Sequence, residues 1–130
     1  MKRRLLRVAV VLACVALMAV SLRGHQDQPA PAKVVHVVAE RFSFTPSEIS
    51  IDAETRVELR ISSEDTTHGF RLIGPGAINV EIPRRGRGEA RVVVQIAEPG
   101  DYVFECSKLC GAGHGFMRGK LRVRAKAATP

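Results

Sequence analysis

Residues 106–117 read Cys-Ser-Lys-Leu-Cys-Gly-Ala-Gly-His-Gly-Phe-Met and place four potential metal-binding side chains within one short stretch. Thiolate and thioether are soft ligands, and together with imidazole they favour copper over hard cations. A second histidine, His68, lies well upstream in Asp-Thr-Thr-His-Gly-Phe. Two cysteines, two histidines and one methionine are one ligand more than a single copper usually takes. Because two sulfurs can bridge two metals, the surplus is consistent with a pair of coppers.

This pattern carries a family resemblance. The spacing Cys-x-x-x-Cys-x-x-x-His-x-x-Met after an upstream His-Gly-Phe resembles the binuclear copper A (CuA) site. That site occurs in subunit II of haem-copper oxidases and in the copper domain of nitrous-oxide reductase. Phe42-Ser-Phe-Thr-Pro46, Ile78-Asn-Val-Glu-Ile82 and Pro99-Gly-Asp-Tyr102 are similar to the cupredoxin scaffold of that family. The resemblance covers residues 34–125 and implies a Greek-key β-sandwich of the cupredoxin type.

The resemblance also implies a set of metal ligands. These are His68, Cys106, the backbone carbonyl of Lys108, Cys110, His114 and Met117. The two cysteine sulfurs would bridge both copper ions, and each copper would take one histidine. The methionine sulfur and the lysine carbonyl would be weak axial ligands, one for each copper. Such a centre transfers electrons, so the resemblance assigns no catalytic residue to the chain itself.

Other interpretations of the same residues stay open from the sequence. A disulfide between Cys106 and Cys110 suits an outward-facing domain but leaves both histidines and the methionine without a role. Zinc in a Cys2His2 site leaves Met117 idle, because thioether is a poor zinc ligand. His68, Cys110, His114 and Met117 alone satisfy a mononuclear blue-copper site, and only Cys106 argues against it. A copper-delivery domain is a further alternative, although such proteins usually expose fewer and more labile ligands.

Residues 1–23 predict a signal peptide or a single short membrane anchor. The first seven residues are basic, and residues 8–22 form an apolar run. That run is shorter than the ~20 residues expected of a spanning helix. Ala19-Val-Ser21 provides a small-x-small cleavage site, so cleavage and retention are both open. In either case the basic flank stays in the cytoplasm, which places the domain on the outer face of the cytoplasmic membrane or in the periplasm.

The rest of the chain predicts one all-β domain. Residues 24–33 are polar and proline-rich, as in a tether, and residues 126–130 predict a frayed tail. Between them, residues 34–125 contain short β-branched runs separated by glycine and proline turns. The predicted strands are Val34–Ala39, Glu48–Ile51, Arg56–Ile61, Phe70–Ile73, Ile78–Ile82, Ala90–Ile96, Tyr102–Cys106 and Leu121–Val123. No window favours an amphipathic helix, so these runs predict a β-sandwich.

The distribution of charge along the chain limits the classes of partner that it can bind. The chain has 20 basic and 13 acidic residues and a net charge of +7. Five basic residues and no acidic ones lie in the leader, so residues 24–130 carry 15 against 13, or +2. A nucleic-acid-binding domain needs a much stronger basic stripe, and we exclude that class. The resemblance instead implies a redox carrier such as cytochrome c or a cupredoxin as donor. It implies the catalytic subunit of a haem-copper oxidase as acceptor, which would make the chain the electron-accepting subunit of a cytochrome c oxidase.

Some residues depart from the family pattern. The chain contains no Trp, although an exposed aromatic is often the electron entry point in the family. Lys108 stands where many members carry glutamate. With Arg118 and Lys120 it adds positive charge near the presumed copper end, which favours an acidic donor.

Two other charged segments have simpler interpretations. Glu64 and Asp65, next to His68, are predicted to form a turn and not to bind metal. The segment Arg84-Arg-Gly-Arg87 predicts a solvated charged turn, with docking as a second possible role.

Overall fold

The computed structural model of the protein describes residues 33–127, which form nine β-strands. Their bounds are β1 Lys33–Glu40, β2 Ser43–Thr45, β3 Glu48–Asp52, β4 Val57–Ser63, β5 His68–Ile73, β6 Asn79–Ile82, β7 Ala90–Val94, β8 Gly100–Glu105 and β9 Arg118–Arg124. A single turn of 3₁₀ helix spans His114–Phe116, between β8 and β9. The predicted all-β fold is confirmed.

The strands form two sheets. One has four strands in the order β2-β1-β4-β7, and the other has five in the order β3-β9-β8-β5-β6. β1 is parallel to β4 and β3 is parallel to β9, whereas the other neighbours are antiparallel. Because the chain passes repeatedly from one sheet to the other, the loops collect at the two ends of the sandwich.

Alternating side chains fill the space between the sheets. In β4, Val57, Leu59 and Ile61 are buried while their neighbours are partly exposed, as the period-two pattern of this segment predicts. Three buried phenylalanines lie at the centre of the core. The ring of Phe104 lies 5.3 Å from that of Phe44 and 5.2 Å from that of Phe70. Since Phe44 belongs to the four-stranded sheet and the other two to the five-stranded sheet, this cluster joins the two layers.

The structure corrects several sequence-based boundaries. β2 was not predicted, because it has only three residues and a single buried side chain, that of Phe44. A segment of this length is too short to show an alternating hydrophobic pattern. His68, which precedes the predicted strand Phe70–Ile73, is the first residue of β5. The predicted strand Tyr102–Cys106 begins earlier, at Gly100, and ends at Glu105. Pairing with neighbouring strands sets these ends, and a local pattern does not contain that information.

The predicted leader, residues 1–23, lies outside the described residues, as do residues 24–32 of the tether and 128–130 of the tail. The last tether residue, Lys33, begins β1. No helix within residues 33–127 combines the length and the apolar character that crossing a membrane requires.

Candidate metal centre

The loop of residues 106–117 joins β8 to β9 at one end of the sandwich. A hydrogen bond from the backbone N–H of Cys106 to the carbonyl of Met117, 2.9 Å long, closes the base of this ligand loop. Phe104 points into the core, and the period-two alternation of the strand carries on to Cys106, which is also buried. Both ends of the loop are therefore fixed by the sheet, and both bring a sulfur atom inside.

The two cysteine sulfurs lie side by side within the loop. The Sγ atoms of Cys106 and Cys110 are 3.8 Å apart, and both cysteines are buried and free. This separation is far longer than the ~2.05 Å of a disulfide bond. The Sγ atom of Cys106 lies 3.1 Å from the carbonyl oxygen of Lys108. The Sγ atom of Cys110 lies 3.8 Å from Nδ1 of His114 and 3.9 Å from the sulfur of Met117. One loop thus gathers five of the six predicted donor atoms.

The sixth donor, His68, comes from a different strand. It begins β5, and its side chain points to the same inner face as that of Phe70. The side chain is 0% exposed, and its Nδ1 lies 3.9 Å from the Sγ of Cys106. The ligand atoms of His68, Cys106 and Cys110 all lie within 4.8 Å of one another. Each of the other predicted donors therefore lies within 3.9 Å of one cysteine sulfur: His68 and the Lys108 carbonyl next to Cys106, and His114 and Met117 next to Cys110. His36 is exposed on β1.

Asp65 orients the buried histidine, a role that the sequence did not reveal. Its Oδ1 lies 2.7 Å from Nε2 of His68, and its Oδ2 accepts a 3.0 Å hydrogen bond from the backbone N–H of Arg41. Burial alone raises the pKa of Asp65, but the hydrogen bonds from His68, Arg41 and Thr66 outweigh it and lower the pKa overall. A carboxylate on Nε2 fixes the ring and leaves Nδ1 free to face the sulfurs. The spacing Asp-x-x-His was the only signal available, and it is typical of ordinary turns as well.

Glycine at position 69 allows the ligand loop to pack closely against β5. A side chain at Gly69, the residue after His68, would place its Cβ only 2.2 Å from the Oγ of Ser107 and 2.9 Å from the backbone nitrogen of Lys108. Gly111 adopts a φ of +140°, a region that disfavours side chains, as the turn after Cys110 requires. Glycine at these two positions thus lets the loop and the strand bring their donors to the same point.

The electrostatics of the site suit a bound cation. Burial, together with the hydrogen bond between the two thiols, raises the pKa of Cys110 to about 11. At neutral pH, the buried thiol of Cys110 therefore stays protonated unless positive charge lies beside it. A metal ion supplies that charge and displaces the proton. Paired soft sulfurs with imidazole and thioether are donors that suit copper, so this set of residues fits the metal that the sequence suggests.

Replacement of Asp65 by alanine is expected to weaken copper binding by about 10–100-fold, the usual cost of removing the partner that orients a ligating histidine. The D65N variant keeps an acceptor for Nε2 of His68, and its affinity should lie between those of D65A and the unmodified chain. The measurement is competition for copper against a chelator of known affinity. Glu64→Ala is the matched control, because Glu64 is exposed and contacts Arg85, not the histidine. Equal losses in D65A and E64A would contradict the role assigned to Asp65.

Comparison with known proteins agrees with this geometry. Residues 9–123 match the cupredoxin-like domain. Cytochrome c oxidase subunit 2 of Thermus thermophilus is 34% identical over 91 residues, which make up 69% of this chain and 64% of that protein. The periplasmic domain of subunit II of cytochrome oxidase (CoxB) from Bradyrhizobium japonicum superposes with a TM-score of 0.65 at 18% identity, covering 75% of this chain and 87% of that one.

A chain of a haem-copper terminal oxidase dimer superposes with a TM-score of 0.62 at 22% identity, covering 92% of this chain and 95% of that one. At these identities the structural similarities establish the fold alone. The chain spans somewhat less than two thirds of the Thermus relative. The match to the domain family extends over most of the sequence and confirms the cupredoxin scaffold that the sequence resembles. The chain therefore belongs to the cupredoxin-like family.

Proposed function

We propose that this chain is an electron-transfer protein with a binuclear CuA centre. In this proposal it acts as a protein of the cytochrome c oxidase subunit II type, which passes electrons from a carrier to a terminal haem-copper oxidase. The observation that carries the proposal is the contact between the two buried sulfurs of Cys106 and Cys110, 3.8 Å apart. Each of them also faces one imidazole Nδ1, that of His68 or that of His114.

Six donors are more than one copper needs and suit two. In the proposed centre the copper would be held by the sulfurs of Cys106 and Cys110, by the imidazoles of His68 and His114, and more weakly by the Met117 sulfur and the Lys108 carbonyl. Copper would supply a one-electron redox couple shared between two nuclei. The two thiolates balance much of the metal charge, so no carboxylate has to enter the buried site. Asp65 contributes indirectly, because it fixes the ring of His68.

Rigid support of the donors favours fast electron transfer, since little has to move when the charge changes. His68 is held by β5 and Asp65, and the base of the ligand loop is closed by the bond between Cys106 and Met117. The surroundings of the two histidines differ: His68 is fully buried, whereas His114 is partly exposed at the end of the sandwich. We infer that electrons cross the surface on the His114 side.

The relatives support the physiological context of the proposal. The curated relative from Thermus is a cytochrome c oxidase subunit 2, and one solved neighbour belongs to a haem-copper terminal oxidase. The Bradyrhizobium neighbour is a periplasmic domain, which supports an extracytoplasmic location for this chain. We therefore propose the catalytic subunit of a haem-copper oxidase as the electron acceptor. The donor would be a carrier such as cytochrome c or a cupredoxin, and this chain would perform no catalysis alone.

Replacement of Cys106 by serine tests the binuclear centre. We expect the unmodified chain to bind two coppers with a purple colour and an EPR spectrum in which one electron is shared over both nuclei. The C106S variant should lose that shared-electron spectrum and hold at most one copper, because one of the two sulfurs that would hold the copper pair is gone. Copper per chain, visible absorption and EPR are measured together. Ser107→Ala, at the neighbouring loop position, should keep both coppers because the Ser107 hydroxyl bonds Asn79 and not the donors.

The opposite result has a definite meaning. If the unmodified chain binds one copper with a blue colour, and C106S keeps that spectrum, then Cys106 is a bystander. The site would then be the mononuclear blue-copper alternative formed by His68, Cys110, His114 and Met117. Ready exchange of the copper without reversible reduction would instead indicate copper delivery.

A further inference from the structure

The metal end of the sandwich carries a group of arginines whose side chains contact no carboxylate among the described residues. Across residues 33–127, no carboxylate lies within 4.0 Å of the side chains of four arginines, which we call the basic rim: Arg41, Arg84, Arg87 and Arg118. Six other arginines in the same range do contact a carboxylate: Arg60, Arg71, Arg85, Arg91, Arg122 and Arg124. The positive charge of the basic rim therefore remains available to a partner.

Hydrogen bonds to the ligand loop and to the Asp65 segment place the basic rim near the metal site. Arg41 Nε donates a 2.8 Å hydrogen bond to the carbonyl of Cys110, and Arg118 Nη2 donates a 2.9 Å hydrogen bond to that of Gly115. The turn that carries Arg84 and Arg87 is attached to the Asp65 loop by a bond from the backbone N–H of Arg85 to the carbonyl of Asp65, 3.2 Å long. Arg41 and Arg118 thus contact the ligand loop itself, and the turn that carries Arg84 and Arg87 is attached to the segment of Asp65, which orients His68.

Nearby acidic residues leave this end positive. With Arg85 and Lys108, the segments of the basic rim and the ligand loop carry six basic residues. The acidic residues on the adjoining segments are five: Glu40, Glu64, Asp65, Glu81 and Glu105. Four of them are engaged, Asp65 by His68, Glu81 by Lys108, Glu64 by Arg85 and Glu105 by Arg71. Lys120, which the sequence suggested as part of this charge, contacts Asp101 of β8 instead.

Two large apolar side chains lie on the ligand loop inside the basic rim. Leu109 is 81% exposed and Phe116 is 82% exposed, on either side of the segment from Cys110 to His114. The intervening loop residues are small and uncharged, and His114 is partly exposed between them. An exposed apolar centre with arginine around it is typical of a protein-docking surface.

We propose that this surface docks a redox protein whose own docking face is acidic around an apolar centre. The inference rests on the electron-transfer function proposed above and specifies the partner of that site. Charge complementarity selects the partner, because a basic carrier is repelled by the basic rim and an acidic one is attracted. The apolar centre brings the two proteins into close contact next to His114. Electrostatic attraction of this kind raises association rates by about 10–1000-fold at low ionic strength.

The test compares two probes that differ only in charge. Native cytochrome c is basic, and the same protein becomes acidic after succinylation of its lysines. Each reduced probe is mixed with the full, copper-loaded chain in a stopped-flow instrument over a series of ionic strengths. We expect the succinylated probe to react at least about tenfold faster at low salt, with a rate that falls as salt screens the attraction. The native probe should react more slowly, with a rate that rises with salt.

Variants separate the two parts of the surface. The double variant R84Q/R87Q should reduce the low-salt rate of the succinylated probe by about tenfold and flatten its salt dependence. The L109A/F116A variant should slow the reaction at every ionic strength and keep the salt dependence. K33Q/K126Q is the matched charge control, because it removes two exposed cations that lie outside the ligand loop and the segments of the basic rim. Its rates should stay near those of the unmodified chain.

Several results would overturn the inference. One is a faster reaction with the native probe than with the succinylated probe. Another is an equal change in reaction rate in K33Q/K126Q and R84Q/R87Q, which would assign the salt dependence to net charge alone. A third concerns vesicles. The basic rim would be assigned to a lipid surface if the chain preferred phosphatidylglycerol to phosphatidylcholine vesicles, lost this preference in R84Q/R87Q, and showed no effect of the same variant on the protein probes. Reduction by ascorbate is measured in parallel. A chain that binds no copper or resists ascorbate fails the proposed function, whereas one that is reduced by ascorbate but shows no charge preference fails only this inference.

Discussion

Replacement of Cys110 by serine is expected to abolish the copper centre. The Sγ atom of Cys110 is near the sulfur of Cys106, Nδ1 of His114 and the sulfur of Met117 at once, with distances of 3.8–3.9 Å. Serine has nearly the same shape but offers a hard, weakly acidic hydroxyl that does not replace a thiolate for copper. Every copper arrangement considered above uses this residue. The variant should therefore lose the visible absorption and the EPR signal entirely.

The measurement is copper bound per chain after desalting, together with the visible spectrum. The third cysteine of the chain, Cys14, lies in the predicted leader and provides the matched control. The C14S variant should bind as much copper as the unmodified protein. A circular dichroism spectrum with unchanged β-sheet content would show that C110S still folds. Full copper binding by a folded C110S variant would refute the site described above.

Replacement of Phe104 by alanine is expected to lower the free energy of unfolding by about 3–5 kcal/mol. Phe104 is fully buried, and its ring contacts both Phe44 and Phe70. The change leaves a cavity where the two sheets meet, and neighbouring strands can fill it only partly. Because domains of this size are stable by only about 5–15 kcal/mol, the loss is a large part of the total. Urea denaturation of the copper-free chain, followed by circular dichroism, measures it.

Phe116→Ala is the control for that experiment. Phe116 is the same residue type, but 82% of it is exposed on the ligand loop. Its replacement should change the free energy of unfolding by no more than about 0.5 kcal/mol. A similar loss of stability in F104A and F116A would contradict the assignment of the phenylalanine cluster as the junction of the two sheets.

The sequence predicted the fold class and most strands because hydrophobic alternation is a local signal. The buried positions of β4 can be read directly from its period of two. β2 could not be predicted, because its pairing with β1 depends on the turn between them and on the single buried ring of Phe44. The start of β9 at Arg118 was missed for a similar reason: Arg118 and Lys120 look like loop residues until β8 pairs with them.

The six donors were predictable because five lie in one motif and the sixth begins a recognisable His-Gly-Phe segment. The contacts that surround these donors could not be predicted from the sequence. The contact of Asp65 with His68 depends on how the chain turns before β5, and turns of the same composition are common at protein surfaces. The basic rim joins Arg41, Arg118 and the Arg84–Arg87 turn, which are distant in sequence. Only the packing of their loops around the metal end makes them one surface.

The closed base of the ligand loop has an evolutionary consequence. Five of the six donors lie in the segment that begins at Cys106 and ends at Met117, the two residues joined by this hydrogen bond. A change in the length or sequence of the segment can therefore alter the type of metal centre with little effect on the strands that carry it. His68 and Asp65 belong to the frame and stay in place during such an exchange. Metal identity can then be selected largely through the loop, although its buried residues Cys106, Cys110 and Met117 also belong to the core. Loop grafting between members of this family should therefore transfer spectroscopic properties and keep the stability of the recipient where the graft fills these three buried positions.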